Sequence, residues 1–487
     1  MKELADLLNS ISHSIVAGSA TYGIDSIQFD SRFCTSGSIF VAVKGMSVDG
    51  HDYLLSAYEN GCRVFMVDRP VAFSKTDVCL VKVSNSSQAL ALLADSFYDS
   101  PSKEIKLIGI TGTNGKTTCA TLMHDLFTSL GYSSGLLSTV VNKVGSTEVK
   151  ATHTTPNPIA LNALLREMIL AGCTYCFMEV SSHAIVQNRI YGLSFTGGVF
   201  TNISHDHLDY HETFASYITA KKQFFDHLSK DAFALANIDD KNGNVMLQNT
   251  NAKKLHYALR SPADFKAKVI ENELSGLLLN LDGTEFYSRL IGRFNAYNLL
   301  TVYAVSIILG VDKMETLGAL SNLQSVEGRF QYLKVPNGPT VIVDYAHTPD
   351  ALENVLQTVL AIKKTTSRVL TVVGCGGDRD IEKRPIMALL ASEMSDELIL
   401  TSDNPRSEDP EHILVGMHNG LSESQKDAAF TLVDRKEAIK LAIKLAKPDD
   451  VVLIAGKGHE KYQEIKGVRH CFDDFQIASD FTNQMNK

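Results

Sequence analysis

The segment KLIGITGTNGKTT, residues 106–118, constrains the fold of this chain more than any other. An apolar, strand-like run leads into a glycine-rich turn, and a helical pattern, CATLMHDLFTSL, follows directly. Glycines allow backbone N–H groups to converge on phosphate oxygens, and the start of a helix adds positive potential. Because this order of strand, loop and helix is typical of parallel α/β folds that bind nucleotides, we expect a nucleotide-binding α/β domain around this loop.

The residues of this loop suggest how ATP is held. This loop, called the phosphate loop below, and the first helical turn comprise Gly112, Thr113, Asn114, Gly115, Lys116, Thr117 and Thr118. Lys116 can neutralise phosphate charge, and the Thr117 hydroxyl can bind Mg²⁺. One residue departs from the pattern G-x-x-x-x-G-K-[ST], because Ile110 stands where its first glycine belongs. The strand, the helix and the GKTT run together still predict nucleotide binding.

The length of 487 residues and the order of the apolar runs predict three domains. Residues 1–103 alternate short strand-like runs with helix-like pieces, which predicts a smaller amino-terminal α/β domain. Residues 104–330 contain the phosphate loop and further alternation, as in a doubly wound nucleotide-binding domain. Residues 331–487 contain β-branched runs such as TVIVDY and VVLIAG, which predict a carboxyl-terminal, Rossmann-like α/β domain.

Composition excludes several classes of partner. The 46 basic and 55 acidic residues give a net charge of −9, so no overall field draws the chain to nucleic acid or anionic lipid. No apolar run approaches the roughly 18 residues that a membrane-spanning helix needs, and the first residues lack a secretory signal pattern. We therefore expect a cytoplasmic protein that binds neither nucleic acid nor membrane.

Ten further segments carry a second signal along the chain. In order they are HTTPNP, MEVSSHA, TNISHDHLDYH, ITAKKQFF, GRFNAYN, EGRFQ, DYAHTPD, GGDRDIEKRPIM, SDNPRSEDP and GKGHEKYQ. Together with TGTNGKTT, they resemble segments of the Mur ligases of peptidoglycan synthesis, whose relatives include the folylpolyglutamate synthases. Within that family they are most similar to the ligase that adds the third amino acid of the peptide stem. The resemblance implies a monomeric, ATP-dependent and Mg²⁺-dependent amide ligase that works through an acyl phosphate.

The resemblance also implies a catalytic and metal-binding group. Its catalytic members are Lys116, Glu179, His207, Lys221, Arg329 and Asp344. Its Mg²⁺ ligands are Thr117, Glu179, His207 and Lys221, the last as a carbamate formed with CO₂. Taken alone, Glu179 and Lys221 are typical of solvated side chains, and the histidine-rich turn at 205–211 suggests a surface turn or a zinc site. Hard oxygen ligands and a triphosphate favour Mg²⁺ instead.

Two segments are expected to complete the nucleotide site. Asn295 and Asn298 match the family's adenine-contacting segment, and an asparagine amide has the paired donor and acceptor that an adenine edge requires. Helix capping is the alternative interpretation of both residues. Arg329 and Asp344 match positions that reach the nucleotide from the third domain. Because Arg329 falls at the predicted domain junction, we expect domain closure to deliver it.

Two further groups match the substrate pockets of the family. The group for UDP-MurNAc-L-Ala-D-Glu comprises Phe29, Ser31, Thr154, Thr155, Ser181, Gln187 and Arg189. The group for meso-diaminopimelate comprises Arg379, Asp403, Asn404, Pro405, Arg406, Gly456 and Glu460. Arginine binds carboxylates in a bidentate manner, so Arg379 and Arg406 suit an amino acid with an extra carboxylate better than L-lysine. Glu460 would meet the distal amino group.

Three alternatives remain open at this point. A P-loop NTPase could convert hydrolysis into motion or transport, and its turnover would need no acceptor amine. A folylpolyglutamate synthase would share the nucleotide site but would not need the arginine pair. A nucleotide-binding scaffold descended from a ligase is the third, and the presence of Lys116, Glu179 and Lys221 argues against it.

Overall fold

The computed structural model describes residues 1–46, 48–204, 206 and 208–485. Three sheets, one in each third of the chain, carry helices on their faces, so the predicted α/β class is confirmed. Among the described residues, no helix is both long enough and apolar enough to cross a lipid bilayer. The strand-like runs named above all form strands, and each large sheet lies within one of the predicted domains, whose boundaries at 103/104 and 330/331 stay a prediction.

The amino-terminal unit is a small sheet between helices. Its strands are β1 (Lys2–Glu3), β2 (His13–Ala17), β3 (Gly23–Ile24), β4 (Ser26–Gln28), β5 (Ser38–Val41), β6 (Val64–Val67) and β7 (Cys79–Val83), and its helices are α1 (Leu4–Leu8), α2 (Leu54–Glu59) and α3 (Ser86–Phe97). The main sheet has the order β2-β7-β6-β5-β4 and is parallel except at β2. Because successive residues of a strand face opposite sides, Ile39 packs with α1 and α3 while Phe40 packs with α2.

The central unit is built on the longest sheet. Its strands are β8 (Lys106–Thr111), β9 (Ser134–Leu137), β10 (Val141–Val144), β11 (Thr147–Lys150), β12 (Tyr175–Glu179), β13 (Gly197–Phe200), β14 (Phe233–Asn237), β15 (Lys253–Ala258), β16 (Phe265–Glu273), β17 (Gly276–Leu281) and β18 (Thr284–Ser288). Its helices are α4 (Lys116–Ser129), α5 (Pro158–Leu170), α6 (Ser182–Val186), α7 (Leu208–His211), α8 (Phe214–Asp226), α9 (Gly243–Met246), α10 (Arg293–Ile308) and α11 (Lys313–Asn322).

The order of the central strands places the loops that follow β8, β12 and β13 side by side. The order is β11-β10-β9-β12-β8-β13-β14-β15-β16-β17-β18, parallel from β9 to β16 and antiparallel at both ends. Strand β8 lies between β12 and β13. Since the carboxyl ends of parallel strands meet at one edge, the phosphate loop, Glu179 and residues 201–204 emerge together. Ile110 is fully buried within β8, which is why the turn begins only at Gly112.

The carboxyl-terminal unit repeats the parallel α/β plan. Its strands are β19 (Gln331–Lys334), β20 (Thr340–Asp344), β21 (Val369–Val373), β22 (Glu397–Thr401), β23 (Phe430–Leu432), β24 (Val451–Ala455), β25 (Tyr462–Ile465) and β26 (Val468–Cys471). Its helices are α12 (Pro349–Ile362), α13 (Lys383–Glu393), α14 (Pro410–His418), α15 (Glu423–Ala428), α16 (Arg435–Leu445) and α17 (Asp474–Met485). The sheet order is β19-β20-β24-β21-β22-β23, antiparallel only at β19, and β25 pairs with β26 in a separate hairpin.

Candidate active site

A cavity of about 1180 Å³ lies between the central and carboxyl-terminal units. The phosphate loop, the ends of β12 and β13, the first turns of α10 and one face of α12 line it. Nearly all the loop residues predicted to bind the nucleotide line this cavity, together with Glu179, Lys221, Arg329 and Asp344. The structure therefore brings the described members of the predicted catalytic group into one place. His207 lies outside the described residues, and its role stays a prediction.

Two glycines give the phosphate loop its shape. Gly115 has a φ of +87°, and a Cβ at that position would lie 2.8 Å from Asn298 Oδ1. Gly112 has a φ of +153°, and a Cβ there would collide with Thr201 Oγ1. Side chains at both positions are therefore excluded by conformation and by space. Helix α4 begins directly after the loop at Lys116, so its first N–H groups are available to a phosphate.

Two lysine side chains bind the same carbonyl oxygen of this loop. Lys116 Nζ donates to Gly112 O at 2.9 Å and to Thr113 O at 2.7 Å. Lys221 Nζ, from α8, donates to Gly112 O at 2.8 Å and is 1% exposed. Burial lowers the pKa of Lys116, and burial together with the charge of Lys116 holds the pKa of Lys221 well below its usual value. The second amine is thus in an environment that disfavours a cation.

Glu179 has one occupied and one unoccupied carboxylate oxygen. Thr139 donates to Oε1 from its backbone N at 2.7 Å and from its hydroxyl at 3.0 Å. Oε2 is buried and accepts no hydrogen bond among the described residues. A buried carboxylate oxygen without a partner is costly unless a ligand binds it, and an oxygen of this kind fits Mg²⁺.

Other groups would have to complete a metal site. Within the described ranges, no cluster of three or more His, Cys, Asp and Glu side chains is placed to hold an ion by itself. The Thr117 hydroxyl lies in the same cavity as Glu179. Lys221 would fit as a ligand only after losing its positive charge. Nucleotide phosphate oxygens are the natural additional ligands of Mg²⁺ at such a loop.

Arg329 reaches the phosphate loop from the junction with the carboxyl-terminal unit. Its Nη2 lies 3.3 Å from Thr117 Oγ1, and its guanidinium stacks at 4.6 Å on the ring of Tyr345. Its Nε is buried and has no partner among the described residues. Asp344 accepts hydrogen bonds from the backbone N of Phe330 at 2.7 Å and of Ala346 at 2.8 Å, while burial raises its pKa. Asp344 thereby fixes the turn that carries Arg329.

Asn295 and Asn298 of α10 differ in whether their side chains face the cavity, where an adenine base would bind. Asn298 lines the cavity, and its Nδ2 donates to Asn295 Oδ1 at 2.9 Å. Asn295 is buried, donates to Ile291 O at 2.7 Å and does not appear among the described lining residues. Contact with adenine stays a prediction for both, and the geometry favours Asn298 as the contacting residue and Asn295 as its support.

The residues predicted for the muramoyl dipeptide fall into lining and supporting members. Thr154, Thr155, Ser181 and Arg189 line the cavity. Arg189 donates to Thr155 O at 2.7 Å and twice to Gln187 Oε1, at 3.0 and 2.6 Å. Gln187 therefore orients Arg189 rather than facing the cavity itself.

The amino-terminal candidates lie apart from this cavity. Phe29 is 42% exposed, whereas Ser31 is buried and its carbonyl oxygen accepts a hydrogen bond from Asn60 Nδ2 at 2.9 Å. Neither residue is among the described residues that line the cavity. Their contact with the uridine diphosphate sugar stays a prediction.

The two arginines predicted to bind the acceptor lie side by side. A Cβ on Gly376 would lie 2.9 Å from Arg406 Nη1 and 3.8 Å from Arg379 Cγ, so both side chains flank this glycine. Arg406 Nη1 also donates to Gly377 O at 2.6 Å. Arg379 is exposed, while Arg406 is partly buried. The turns after β21 and β22 thus bring a pair of cations, Arg379 and Arg406, together at the carboxyl edge of the sheet.

The remaining acceptor candidates form the wall beside the arginines. Asn404 Nδ2 donates to Glu460 Oε2 at 2.7 Å. Gly456 has a φ of +116°, and a Cβ there would lie 2.6 Å from Asp403 Oδ2. The carbonyl of Pro405 lies against Gly377 and closes the wall.

The residues predicted to bind the acceptor adjoin the main cavity. The ring of His459, in the turn after β24, lies 4.8 Å from the ring of Tyr345. Tyr345 in turn lines the main cavity. One aromatic contact therefore joins the two regions.

Comparisons with known proteins decide the family. The Mur ligase middle domain matches residues 110–306, the Mur ligase glutamate ligase domain matches 328–458, and the Mur ligase family catalytic domain matches 23–98. A protein of Cytophaga hutchinsonii, named UDP-N-acetylmuramoyl-L-alanyl-D-glutamate--2,6-diaminopimelate ligase, is 51% identical over 486 residues, with 100% of each chain covered. The chain belongs to the Mur ligase family. A protein of Parabacteroides distasonis with the same name is 50% identical, with 97% of each chain covered.

Solved structures agree with the fold of a Mur ligase. A structure of UDP-N-acetylmuramoyl-L-alanyl-D-glutamate--2,6-diaminopimelate ligase matches with a TM-score of 0.70 at 31% identity, covering 97% of this chain and 98% of that one. MurF ligase from Thermotoga maritima in complex with ADP matches with a TM-score of 0.60 at 17% identity, covering 95% and 98%. The predicted resemblance and the three-domain architecture are confirmed.

Several residues of this Mur ligase site were not predicted from the sequence. Asn202 binds both sides of Asn114, accepting from its N at 2.9 Å and donating to its O at 3.0 Å. Ser204 Oγ donates to Asp350 Oδ2 at 2.7 Å, which joins the central unit to the first turn of α12. Both serine and asparagine stand in the segment TNIS after a buried strand, a position that signals a site at the sheet edge.

Proposed function

We propose that the protein is an ATP-dependent amide ligase that joins meso-diaminopimelate to UDP-MurNAc-L-Ala-D-Glu. The observation that carries the proposal is the cavity in which the phosphate loop, Glu179 and Arg329 meet, with the pair of arginines beside it. Relatives that are about half identical over almost their whole length carry the name of this ligase. The arginine pair supports an acceptor with two carboxylates.

The first step is phosphoryl transfer to the substrate carboxylate. The terminal carboxylate oxygen attacks the γ-phosphorus of ATP, the bond from that phosphorus to the bridging oxygen breaks, and ADP leaves. Carboxylates are poor acyl donors, and the new acyl phosphate supplies a leaving group. Lys116 and Arg329 are the cations placed to offset the charge that gathers between nucleotide and carboxylate. Arg189 is placed to hold the dipeptide that carries this carboxylate.

Mg²⁺ fits the residues around the phosphate loop. We propose that Glu179 Oε2, the Thr117 hydroxyl, His207 and carbamylated Lys221 hold it, and it would supply neutralisation of phosphate charge. The shared Gly112 carbonyl supports the carbamate, because it brings two amines together and their positive charges would repel each other. In carbamylation the lysine ammonium first loses one proton; the neutral nitrogen then bonds to the carbon of CO₂ and loses a second proton, so a positive group becomes a negative one.

The second step is amide formation. The neutral amine of meso-diaminopimelate attacks the acyl carbon, the carbon–oxygen bond to phosphate breaks, and phosphate leaves as hydrogen phosphate, carrying the proton that the attacking nitrogen loses. Arg379, Arg406 and Glu460 would hold the distal end of this acceptor. Because one chain supplies all these groups, a monomer suffices, and the use of ATP with a UDP-linked precursor leads us to propose a cytoplasmic location.

Phosphate release by the purified protein tests the proposal. ATP, Mg²⁺ and UDP-MurNAc-L-Ala-D-Glu are supplied with meso-diaminopimelate, with L-lysine or without acceptor. We expect release that requires both the muramoyl substrate and meso-diaminopimelate, and none from Lys116→Ala. Release that needs no acceptor would support an NTPase, and equal use of L-lysine would contradict the role of the arginines. The same assay on the wild type and on Lys221→Ala, each with and without added bicarbonate, tests the carbamate, because only the wild type should respond to bicarbonate.

A further inference from the structure

Lys457 is a buried cation in the wall of the acceptor pocket. Its side chain is 0% exposed, although it stands in the turn directly after β24. Nζ lies 3.0 Å from Asn404 Oδ1 and 3.2 Å from Glu460 Oε2. A lysine is almost never fully buried unless it is paired, because burying an unpaired charge is costly. Its position therefore depends on these two partners.

The hydrogen bonds of Asn404 allow only one orientation of its amide. Oδ1 accepts from Lys457 Nζ at 3.0 Å and from the backbone N of Glu464 at 2.9 Å. Both donors require an oxygen at this position, so the amide nitrogen has to point the other way. Nδ2 accordingly donates to Glu460 Oε2 at 2.7 Å. Lys457 thus acts on Glu460 twice, directly and through the Asn404 amide.

Both of these donors bind the same oxygen of Glu460. Oε2 receives Lys457 Nζ and Asn404 Nδ2, so within the described residues these contacts leave Oε1 to a ligand. The Glu460 side chain is 16% exposed, which is enough for a ligand to reach it. A carboxylate with one oxygen fixed and the other accessible is arranged to accept an ammonium group at a defined angle.

We propose that Lys457 is the positioning residue that fixes Glu460 for the distal ammonium group of the acceptor amino acid. The inference rests on the function proposed above. Lys457 also balances the charge of Glu460, so the pocket gains little by attracting a bare ammonium. An acceptor whose distal end carries both an ammonium and a carboxylate satisfies Glu460 and the arginine pair together, which disfavours L-lysine.

Steady-state kinetics of Lys457→Met test this role. We expect the KM for meso-diaminopimelate to rise about tenfold, the lower end of what losing a hydrogen bond to a charged group costs. The KM for ATP should stay within about twofold, because the hydrogen-bond partners of Lys457 among the described residues, Asn404 and Glu460, belong to the acceptor wall. Turnover of L-lysine relative to meso-diaminopimelate should increase. If Lys457 acts through Glu460, adding Lys457→Met to Glu460→Gln should change the KM by less than about twofold.

Arg469→Met is the matched control. Arg469 lies 4.3 Å from the ring of Tyr462, and Lys457 Nζ lies 5.5 Å from the same ring. Arg469 is 56% exposed and pairs with Glu464 instead of Glu460. Its loss removes a neighbouring cation without touching Glu460, so the KM values for meso-diaminopimelate and ATP should stay at the wild-type level.

The outcomes separate this inference from the proposed function. A wild-type protein that ligates no acceptor refutes the proposed function. An active wild type with an unchanged KM in folded Lys457→Met, or with effects that multiply in the double variant, overturns the role of Lys457. Thermal unfolding checks the fold, and Lys457→Gln, which keeps a donor for Asn404, replaces a Met variant that fails to fold. Failure of both variants to fold also overturns the inference, because it makes Lys457 a requirement of the core.

Discussion

Acid should destabilise the central unit through His124. His124 lies in α4, is 3% exposed, and places Nδ1 2.9 Å from Ser134 Oγ. Burial, assisted by the charge of Lys143, lowers its pKa from 6.5 to about 4. Between these values the unfolded chain binds a proton that the folded chain does not. The free energy of unfolding therefore rises with pH across this window and falls on acidification.

The size of the effect follows from the two pKa values. At pH 5 the unfolded imidazole is almost fully protonated and the folded one is almost fully neutral, which costs about 2 kcal/mol of stability. At pH 7.5 the cost is close to zero. For a unit of this size, about 2 kcal/mol corresponds to roughly 4–8 °C in Tm. His124→Asn removes the titrating group while keeping a polar partner for Ser134, so it should lose correspondingly less stability on acidification.

Thermal unfolding of both proteins at pH 7.5 and pH 5 measures this difference. Asp125, whose pKa burial raises, acts in the opposite direction because acid favours its folded form. Asp125 is present in both proteins, so its contribution cancels when the pH effect on one is subtracted from that on the other. An equal fall of Tm in wild type and His124→Asn would refute the reasoning.

Three further predictions concern the site. Glu179→Gln should keep the hydrogen bonds from Thr139 and the wild-type Tm. Because a charged ligand is lost, the Mg²⁺ concentration needed for half-maximal phosphate release should rise at least about tenfold. Arg329→Ala should lower kcat by about 10²–10³, the usual cost of removing one charge-stabilising donor, and single-turnover ADP formation would show whether the loss lies in phosphoryl transfer. Arg406→Ala should raise the KM for meso-diaminopimelate more than about tenfold without changing the KM for ATP, and a wild-type KM would remove Arg406 from the acceptor pocket.

The strand, turn and helix of the phosphate loop could be predicted from the local sequence for a physical reason. Strand β8, the glycine turn and the start of α4 are adjacent in the chain, and Gly112 and Gly115 are required by backbone conformation at their own positions. Their sequence therefore contains most of what determines their structure. Ile110 stands where the pattern G-x-x-x-x-G-K-[ST] has its first glycine, but it belongs to the buried strand, where an apolar residue is needed.

Contacts between distant segments could not be predicted in the same way. Glu179 was predicted as a ligand, but the two donors that hold it come from Thr139, 40 positions away. Asn295 was predicted to contact a base, which stays a prediction; its amide binds Ile291 O, just before α10, and Asn298 within the helix. An amide or a carboxylate can turn to several partners, and only the packed structure shows which ones are present.

The central and carboxyl-terminal units meet through apolar packing at the joint between them, whereas the contact across the cavity is polar. At the joint, the rings of Phe294 and Phe330 are 5.4 Å apart, and Ile291 belongs to the apolar core of the carboxyl-terminal unit. Across the cavity, the Ser204–Asp350 hydrogen bond is polar and is worth about 1–3 kcal/mol. Water can replace a polar contact, but separating rings that pack on each other costs apolar burial. We therefore expect the units to part at the cavity while the joint stays packed, which admits substrates and still excludes water from the acyl phosphate once the cavity closes.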